Sequence, residues 1–195
     1  MSSKKRITIV VAILIGALLV SLAVNLIITL VQKSEHPKKY EEYVEKYASE
    51  YNVPEYMLYA VIKTESSFDA SKKSEDGKIG LMQMSKETLK LLSSDFHFDK
   101  SINENELYDP ETAIRYGAYY LRYLFNKYNK WDVALAAYHA GEGTVDSWLN
   151  DTAYSKDGET LTKIPDKKTK SYVKSVTNAA DYYKNTFYKN GVSVK

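Results

Sequence analysis

The sequence predicts a mainly helical domain preceded by one helix that is long enough to span a membrane. Three observations support this fold class. Apolar side chains recur at helical spacing after residue 40, no segment shows the alternating β-branched residues typical of strands, and a long uncharged run lies near the N-terminus. The chain has 195 residues and no internal repeat, which indicates one domain besides that run.

The N-terminal apolar run, Ile7 to Val31, contains no charged residue. A helix of this length, rising about 1.5 Å per residue, can cross a hydrocarbon core of about 30 Å. Lys4 to Arg6 precede it, so the positive-inside rule puts residues 1–6 in the cytoplasm and everything after Val31 on the outer side of the cell membrane. The alternative is a cleaved signal peptide with Ser21-Leu22-Ala23 as its small-residue site. The apolar run continues through Leu26-Ile27-Ile28, which favours the anchor.

A polar linker and a helical domain follow the anchor. Residues 32–39 include Pro37 and are predicted to form the linker, residues 40–190 the domain, and residues 191–195 a tail. The first helix of the domain is predicted over Tyr40 to Ser49.

The second helix of the domain has a recognisable start. Asn52 stands three positions before Glu55, in the spacing of a capping box, and the helical pattern extends to about Ser66. We therefore expect Asn52 to cap the N-terminus of this helix.

Five further helices follow, joined by loops. Asp109-Pro110-Glu111 is a strong helix start, because it supplies a cap, a proline at the first position and an early acid. The loops are predicted at Asp69 to Ile79, with at most a small β element, and at Ser93 to Tyr108 and Asp151 to Pro165. The other helices are predicted at Ser85 to Leu92, Trp131 to Tyr138, Thr144 to Leu149 and along the stripe Thr169, Tyr172, Val176, Ala180 and Tyr183.

Composition excludes several function classes. The chain has no cysteine, which rules out disulfides and thiolate metal sites. Its 27 basic and 25 acidic residues give a net charge of +2, which is not typical of a nucleic-acid-binding protein. The three histidines, His36, His97 and His139, are far apart, and no phosphate-binding glycine loop is present. We expect no metal and no cofactor.

Glu65 is the candidate catalytic residue. Leu58, Ile62 and Glu65 share one helix face, so this carboxyl lies on an apolar stripe. A charged group in such a place is costly unless it is paired or neutralised. A carboxyl that stays protonated in an apolar site can act as a general acid near neutral pH.

Three ordered motifs resemble those of the catalytic domain of soluble lytic transglycosylases. They are Glu65-Ser66-Ser67-Phe68, Gly80-Leu81-Met82-Gln83 and Ala137-Tyr138-His139-Ala140-Gly141, with fifteen positions from Glu65 to Gly80. The resemblance covers roughly Tyr43 to Tyr188. It implies a lysozyme-like fold and an enzyme that cleaves the glycan strands of peptidoglycan.

The resemblance also implies a role for each site residue. Glu65 matches the single catalytic acid, and Ser74 matches a serine that hydrogen bonds it. Gln83 is expected to face the sugar with Met82 packed beneath it, and both are assigned with Ser74 to substrate binding. Tyr138 is expected beside the reacting sugar and the acid.

Two positions depart from the family pattern. His139 stands where an asparagine that binds substrate is usual, and Lys168 stands where a glutamate usually precedes Thr169. An imidazole can still donate one hydrogen bond, so we keep His139 as a substrate-binding candidate.

The mechanism that the resemblance implies needs only one carboxylate. Ordinary glycosidases use two. Here the 6-hydroxyl of N-acetylmuramic acid would attack its own anomeric carbon, breaking the β-1,4 bond to N-acetylglucosamine and leaving a 1,6-anhydro end. The alternatives are a hydrolytic muramidase of the goose-type lysozyme kind and a non-catalytic, membrane-tethered module that binds peptidoglycan.

Overall fold

The chain divides into two units, Met1–Pro37 and Lys38–Lys195. The structure, a computed structural model, describes residues 3–95, 102–189 and 192–193. The predicted residues Met1 and Ser2 of the cytoplasmic end, residues 96–101 of the irregular stretch, and Gly191, Val194 and Lys195 of the tail lie outside the described residues.

The first unit consists of helix α1, Ser3–Glu35. Its segment Thr8–Glu35 has a mean hydropathy of 2.8 in its most apolar window, and the protein buries none of that window. Its length and composition therefore make it a candidate membrane span, and the same features are found in signal sequences.

The second unit is mainly helical, as the sequence predicts. Its helices begin and end close to the predicted bounds, and the predicted irregular stretch contains one 3-10 helix, Glu104–Tyr108. The α-helices are α2 (Glu41–Tyr51), α3 (Glu55–Ser66), α4 (Lys86–Asp95), α5 (Pro110–Tyr128), α6 (Trp131–Ala140), α7 (Glu142–Leu149) and α8 (Lys167–Phe187).

Helix α3 lies at the centre of the domain. Leu58 and Ile62, which share the face of Glu65, are fully buried. The helix packs most extensively on α8, where Tyr59 stacks on Tyr183 with ring centroids 5.2 Å apart. Helices α5 and α6 pack on each other, and α6 also contacts α8. This packing brings the C-terminal end of α3 close to α6 and α8, which positions the site.

Of the two predicted helix N-caps, one is confirmed and the other is wrong. Asp109 accepts a hydrogen bond from the Thr112 amide at 2.9 Å and caps α5, as predicted. Asn52 does not cap α3. It ends α2 in a left-handed conformation with φ 53°, and Pro54 precedes α3 instead. The capping-box spacing was misleading because asparagine also suits left-handed C-caps.

Short β elements occur at three places in the described residues, one of them an isolated bridge from Ser155 to Leu161 that was not predicted. Isolated bridges join Lys73 to Ile79 and Ile79 to Met84, at and just beyond the loop where a small β element was expected. The antiparallel pair β1 (Tyr188–Lys189) and β2 (Val192–Ser193) was not predicted, because two-residue strands are too short for alternation to show.

Candidate active site

Glu65 lies in the last turn of α3. Ser66 ends the helix, and its hydroxyl donates to the Ile62 carbonyl at 3.0 Å, so this serine serves the helix end. The next residues, Ser67 and Phe68, have φ of 54° and 66°, which turns the chain sharply away from the helix axis. The Glu65 side chain is therefore held at the point where α3 meets the loop.

Burial raises the pKa of Glu65 to about 7. The desolvation of the carboxylate is the largest cause, and Asp76 raises the pKa further. The Tyr172 hydroxyl, Lys78 and Lys72 oppose this rise. A carboxyl with this pKa is present in both protonation states near neutral pH, which suits a group that both donates and accepts a proton.

Tyr172 is the residue of α8 that faces this carboxyl. Its hydroxyl is buried and interacts with Glu65, yet it meets full hydrogen-bond geometry with no group in the part of the chain that the structure describes. We therefore regard it as a donor in electrostatic contact with Glu65. The sequence placed Tyr172 on the apolar stripe of the last helix and within a segment that resembles the family's last motif, but did not assign it to the site.

The loop after α3 is closed by Gly80 and Gln83. The Gln83 amide nitrogen donates to the carbonyls of Lys72 at 3.1 Å and Gly80 at 2.9 Å, and the residue has φ 45°. Gln83 lines the cavity described below, but its two N–H donors already bind the loop. That Gln83 faces the sugar stays a prediction, and only its carbonyl oxygen is left to bind a ligand.

Met82 belongs to the core. Its side chain is fully buried and packs so closely on Gly117 that a Cβ there would lie 2.5 Å from its terminal methyl group. The expectation that Met82 packs beneath Gln83 fits this burial, whereas a direct contact of its side chain with substrate is wrong. Its backbone carbonyl serves the site instead, by accepting a hydrogen bond.

The expectation that Ser74 hydrogen bonds Glu65 is wrong. Its hydroxyl donates to Asp76 at 2.5 Å and accepts from the Lys78 amide at 2.8 Å. A serine in a tight turn binds the nearest backbone amide in preference to a distant carboxyl. Ser74 therefore shapes the loop that carries Asp76 and Lys78, and this loop, rather than the serine itself, faces the acid.

Tyr138 lies within electrostatic range of Glu65. Its hydroxyl donates to the Met82 carbonyl at 2.8 Å, which joins α6 to the Gly80–Gln83 turn. Burial and the negative charge of Glu65 raise its pKa well above the usual value. The hydroxyl is therefore protonated at any working pH and is fixed in direction by the Met82 carbonyl.

His139 is held by α8. Its Nδ1 lies 3.0 Å from the Thr169 hydroxyl, which donates to Asp166 at 2.8 Å. Because that hydroxyl proton goes to Asp166, the geometry favours a hydrogen on Nδ1 and leaves Nε2 as an acceptor. The ring stacks on Tyr172 with centroids 4.6 Å apart, and burial, followed by the charge of Lys78, lowers its pKa.

A cavity of about 160 Å³ lies between the loop and the end of α6. Lys78, Gln83, Tyr138 and His139 line it. Glu65 lies outside this lining but within electrostatic range of Tyr138 and Lys78. Two larger cavities, of about 260 Å³ and 540 Å³, are lined by other residues, so cavity size alone does not mark the site.

The described residues contain no group of three or more histidine, aspartate or glutamate side chains able to hold an ion. Lys168, where the family pattern has a glutamate, lies on α8 close enough to His139 to lower its pKa. That position therefore adds a positive charge beside the imidazole.

Comparison with known proteins agrees with the three motifs. The family Transglycosylase SLT domain matches residues 42–161. The soluble lytic murein transglycosylase of Escherichia coli is 33% identical over 134 residues, which are 68% of this chain and 21% of that protein. Its counterpart in Salmonella typhimurium is 32% identical over 135 residues, again 68% and 21%.

Solved structures are similar over most of the chain. An inactive glutamate-to-glutamine mutant of lytic transglycosylase Slt from Pseudomonas aeruginosa has a TM-score of 0.67 and 30% identity, over 77% of this chain and 24% of that one. The 70 kDa soluble lytic transglycosylase of Escherichia coli has a TM-score of 0.70 and 27% identity, over 82% and 26%. This chain thus spans about a quarter of the length of these relatives. The chain belongs to the family of the transglycosylase SLT domain, and its helical domain has the lysozyme-like fold that the motifs imply.

Proposed function

We propose that this protein is a peptidoglycan lytic transglycosylase that cleaves the β-1,4 bond from N-acetylmuramic acid to N-acetylglucosamine. The observation that carries the proposal is Glu65, a carboxyl whose pKa burial raises to about 7. It lies at the meeting point of the three family motifs, next to Tyr138 and Tyr172. Relatives named soluble lytic murein transglycosylase support the same reaction.

The reaction needs one carboxyl in two roles. Protonated Glu65 first donates its proton to the glycosidic oxygen, and the bond from that oxygen to the anomeric carbon breaks. The 6-hydroxyl of the same muramic acid then attacks the anomeric carbon, and ionised Glu65 accepts the hydroxyl proton. The proton that leaves the enzyme is thereby returned, no water is consumed, and the product carries a 1,6-anhydro ring.

The neighbouring residues hold the acid and the sugar in place. Tyr138 presents a protonated hydroxyl beside Glu65, and its bond to the Met82 carbonyl fixes its direction. His139 would accept a hydrogen bond from a sugar hydroxyl or acetamido N–H through Nε2. Gln83 contributes its carbonyl oxygen, and Ser74 contributes by fixing the loop that bears Asp76 and Lys78.

Hydrolysis is the second candidate function. The presence of the Asp76 carboxylate near Glu65 favours it. This carboxylate lies within electrostatic range of both Glu65 and His139, and its bond from the Ser74 hydroxyl lowers its pKa, so it is ionised. A second, ionised carboxylate near the acid is what a glycosidase uses to activate water. Asp76 is therefore the residue that separates the two reactions.

The mass of the products distinguishes them. We expect the full-length protein in detergent to release muropeptides with anhydro ends from purified peptidoglycan, each lighter by one water than the hydrolysed product. Asp76→Asn should release the same anhydro products at a rate within about threefold of the parent, because a loss of ~10²–10⁴ is typical only for a group that transfers a proton.

Two other outcomes would contradict the transglycosylase proposal. Products with ordinary reducing ends, together with a large loss of rate in Asp76→Asn, would establish a hydrolase. Strands that are bound but not cut by the parent protein would establish a non-catalytic module. Glu75→Gln, an exposed change on the same loop, is the matched control.

We also propose that α1 anchors the protein in the cell membrane and presents the domain to the wall. The support is the apolar segment Thr8–Glu35, none of whose most apolar window the protein buries. Protease added to intact protoplasts should remove the domain. Protection of the domain would contradict this topology, and a soluble form beginning near Val24 would indicate a cleaved signal peptide.

A further inference from the structure

We propose that Lys78 binds the lactyl carboxylate of a muramic acid residue that carries no peptide, so that the protein prefers stem-free glycan strands. The inference rests on the proposed function and names the substrate form that its site selects. It depends on where the loop after α3 places this ammonium group.

The backbone of Lys78 is fixed. Its amide donates to the Ser74 hydroxyl at 2.8 Å, and its carbonyl accepts from the Ser74 amide at 2.9 Å. The following residue, Ile79, is buried and pairs with Met84 through two backbone hydrogen bonds of 3.0 and 3.1 Å. Lys78 therefore starts from a rigid position at the rim of the cavity that it lines with Tyr138 and His139.

The charge of Lys78 acts on two side chains of the site, Glu65 and His139. It lowers the pKa of Glu65 and that of His139, which places its ammonium within electrostatic range of both side chains. The other lysine of this loop that acts on Glu65, Lys72, donates to the Glu65 carbonyl. Lys78 thus brings a cation to the cavity wall.

The ion pair that Lys78 forms with Asp76 is weak. Its Nζ lies 4.0 Å from an Asp76 carboxylate oxygen, at the outer limit of an ion pair, and the Asp76 side chain is 67% exposed. The other Asp76 oxygen already accepts from Ser74 at 2.5 Å. An exposed pair at this distance contributes little, so the ammonium retains capacity for a second anion.

The chemistry of the glycan identifies that anion. The lactyl group stands on the muramic acid ring itself, two carbons from the anomeric carbon where Glu65 acts. Its carboxylate is free only where no peptide is attached, since the peptide converts it to a neutral amide. Carboxylates of the peptide lie farther along a flexible chain, so a cation that extends from a fixed backbone at the cavity wall selects the lactyl carboxylate.

The experiment compares three forms of one substrate with the full-length protein in detergent. Strands freed of peptide by an amidase carry the carboxylate, the same strands coupled to methylamine by carbodiimide are neutral, and untreated strands carry peptides. We expect kcat/KM on the charged strands to exceed that on the neutral strands roughly tenfold, as for a charge-assisted hydrogen bond, with the difference mainly in KM.

Variants assign the preference to one residue. Lys78→Gln should abolish the difference between charged and neutral strands, Lys78→Arg should retain part of it, and added salt should weaken it in the parent. Lys73→Gln makes the same charge change at an exposed position on this loop and should leave the preference intact.

The outcomes separate this inference from the proposed function. Equal rates of the parent on charged and neutral strands, or a preference that persists in Lys78→Gln, would overturn the role of Lys78 while anhydro products still upheld the function. A shift of the pH profile alone would show that Lys78 acts only on the pKa of Glu65, which also overturns binding. Absence of anhydro products from every strand would overturn both.

Discussion

Glu65→Gln is expected to lower the release of anhydro products by about 10²–10⁴, the loss typical of a positioned proton-transfer group. Glutamine has nearly the same shape, so the loop and the Tyr138 contact to Met82 should persist. It can neither donate a proton of suitable acidity nor accept one, so both steps lose their catalyst. The measurement is kcat and KM on purified peptidoglycan, with products identified by mass.

The same variant should also alter the dependence of stability on pH. An unfolded Glu65 would have a pKa near 4.5, and burial raises it to about 7 in the folded protein. Between these values the folded chain holds a proton that the unfolded chain has released, so stability falls as pH rises through this window. Glu65→Gln removes this contribution, and its stability relative to the parent should increase from pH 4.5 to 7.

The activity of the parent should follow the protonated fraction of Glu65 and decline above about pH 7. The charged groups that face this carboxyl are Lys72, Lys78 and Asp76, with the Tyr172 hydroxyl beside it. The lysines hold the pKa down, and Asp76 raises it. A rate that stays constant from pH 5 to 9 would contradict the assignment of Glu65 as the acid.

The choice of control depends on the structure. The sequence predicts that Glu111, at the start of α5, is an exposed residue and therefore a suitable control for Glu65→Gln. In the structure it accepts from Lys46 at 2.7 Å and from Tyr47 at 2.8 Å, and so ties α5 to α2. Glu42, exposed on α2, is the better matched control, and Glu42→Gln should leave the rate unchanged.

If Glu65→Gln released anhydro products at the rate of the parent, another group would be the catalytic acid.

The sequence predicted most of the helices because each buries one apolar stripe, and such stripes have a period that can be counted. The Asp109 cap was predictable for the same local reason. The cap assigned to Asn52 was wrong because its conformation depends on how α2 ends, which local spacing does not reveal. The strands β1 and β2, at residues 188–189 and 192–193, are too short to show any period.

The site was predictable where a motif stands on one element and less so where elements meet. Glu65 and Tyr138 were found from their motifs. Tyr172 was missed as a site residue because only packing of α8 on α3 brings its hydroxyl to the acid. Ser74 was placed in the right loop but given the wrong partner, and the binding of the Gln83 N–H donors to Lys72 and Gly80 was not foreseen. Their side chains satisfy nearby backbone groups, and this local competition is invisible in residue spacing.

Gly80→Ala is expected to cause the largest loss of stability among single substitutions in the loop. Gly80 has φ 75°, and a Cβ there would lie 1.9 Å from the Leu107 carbonyl oxygen. Leu107 is buried in the 3-10 helix, so its backbone has little room to move. Left-handed strain and overpacking together should lower the free energy of unfolding by about 2–5 kcal/mol.

Gly77→Ala is the matched control that separates these two causes. Gly77 has φ 85° in the same loop, but a Cβ there would meet nothing within 4 Å. It should therefore show only the left-handed cost of about 1–2 kcal/mol. Thermal unfolding monitored by circular dichroism measures both variants, at about 2–4 °C per kcal/mol for a chain of this size. Equal shifts for the two would refute the close approach of Gly80 to Leu107. A larger shift for Gly80→Ala, with a loss of activity, would show that the turn must pack against Leu107 to hold the Met82 carbonyl against the Tyr138 hydroxyl beside the acid.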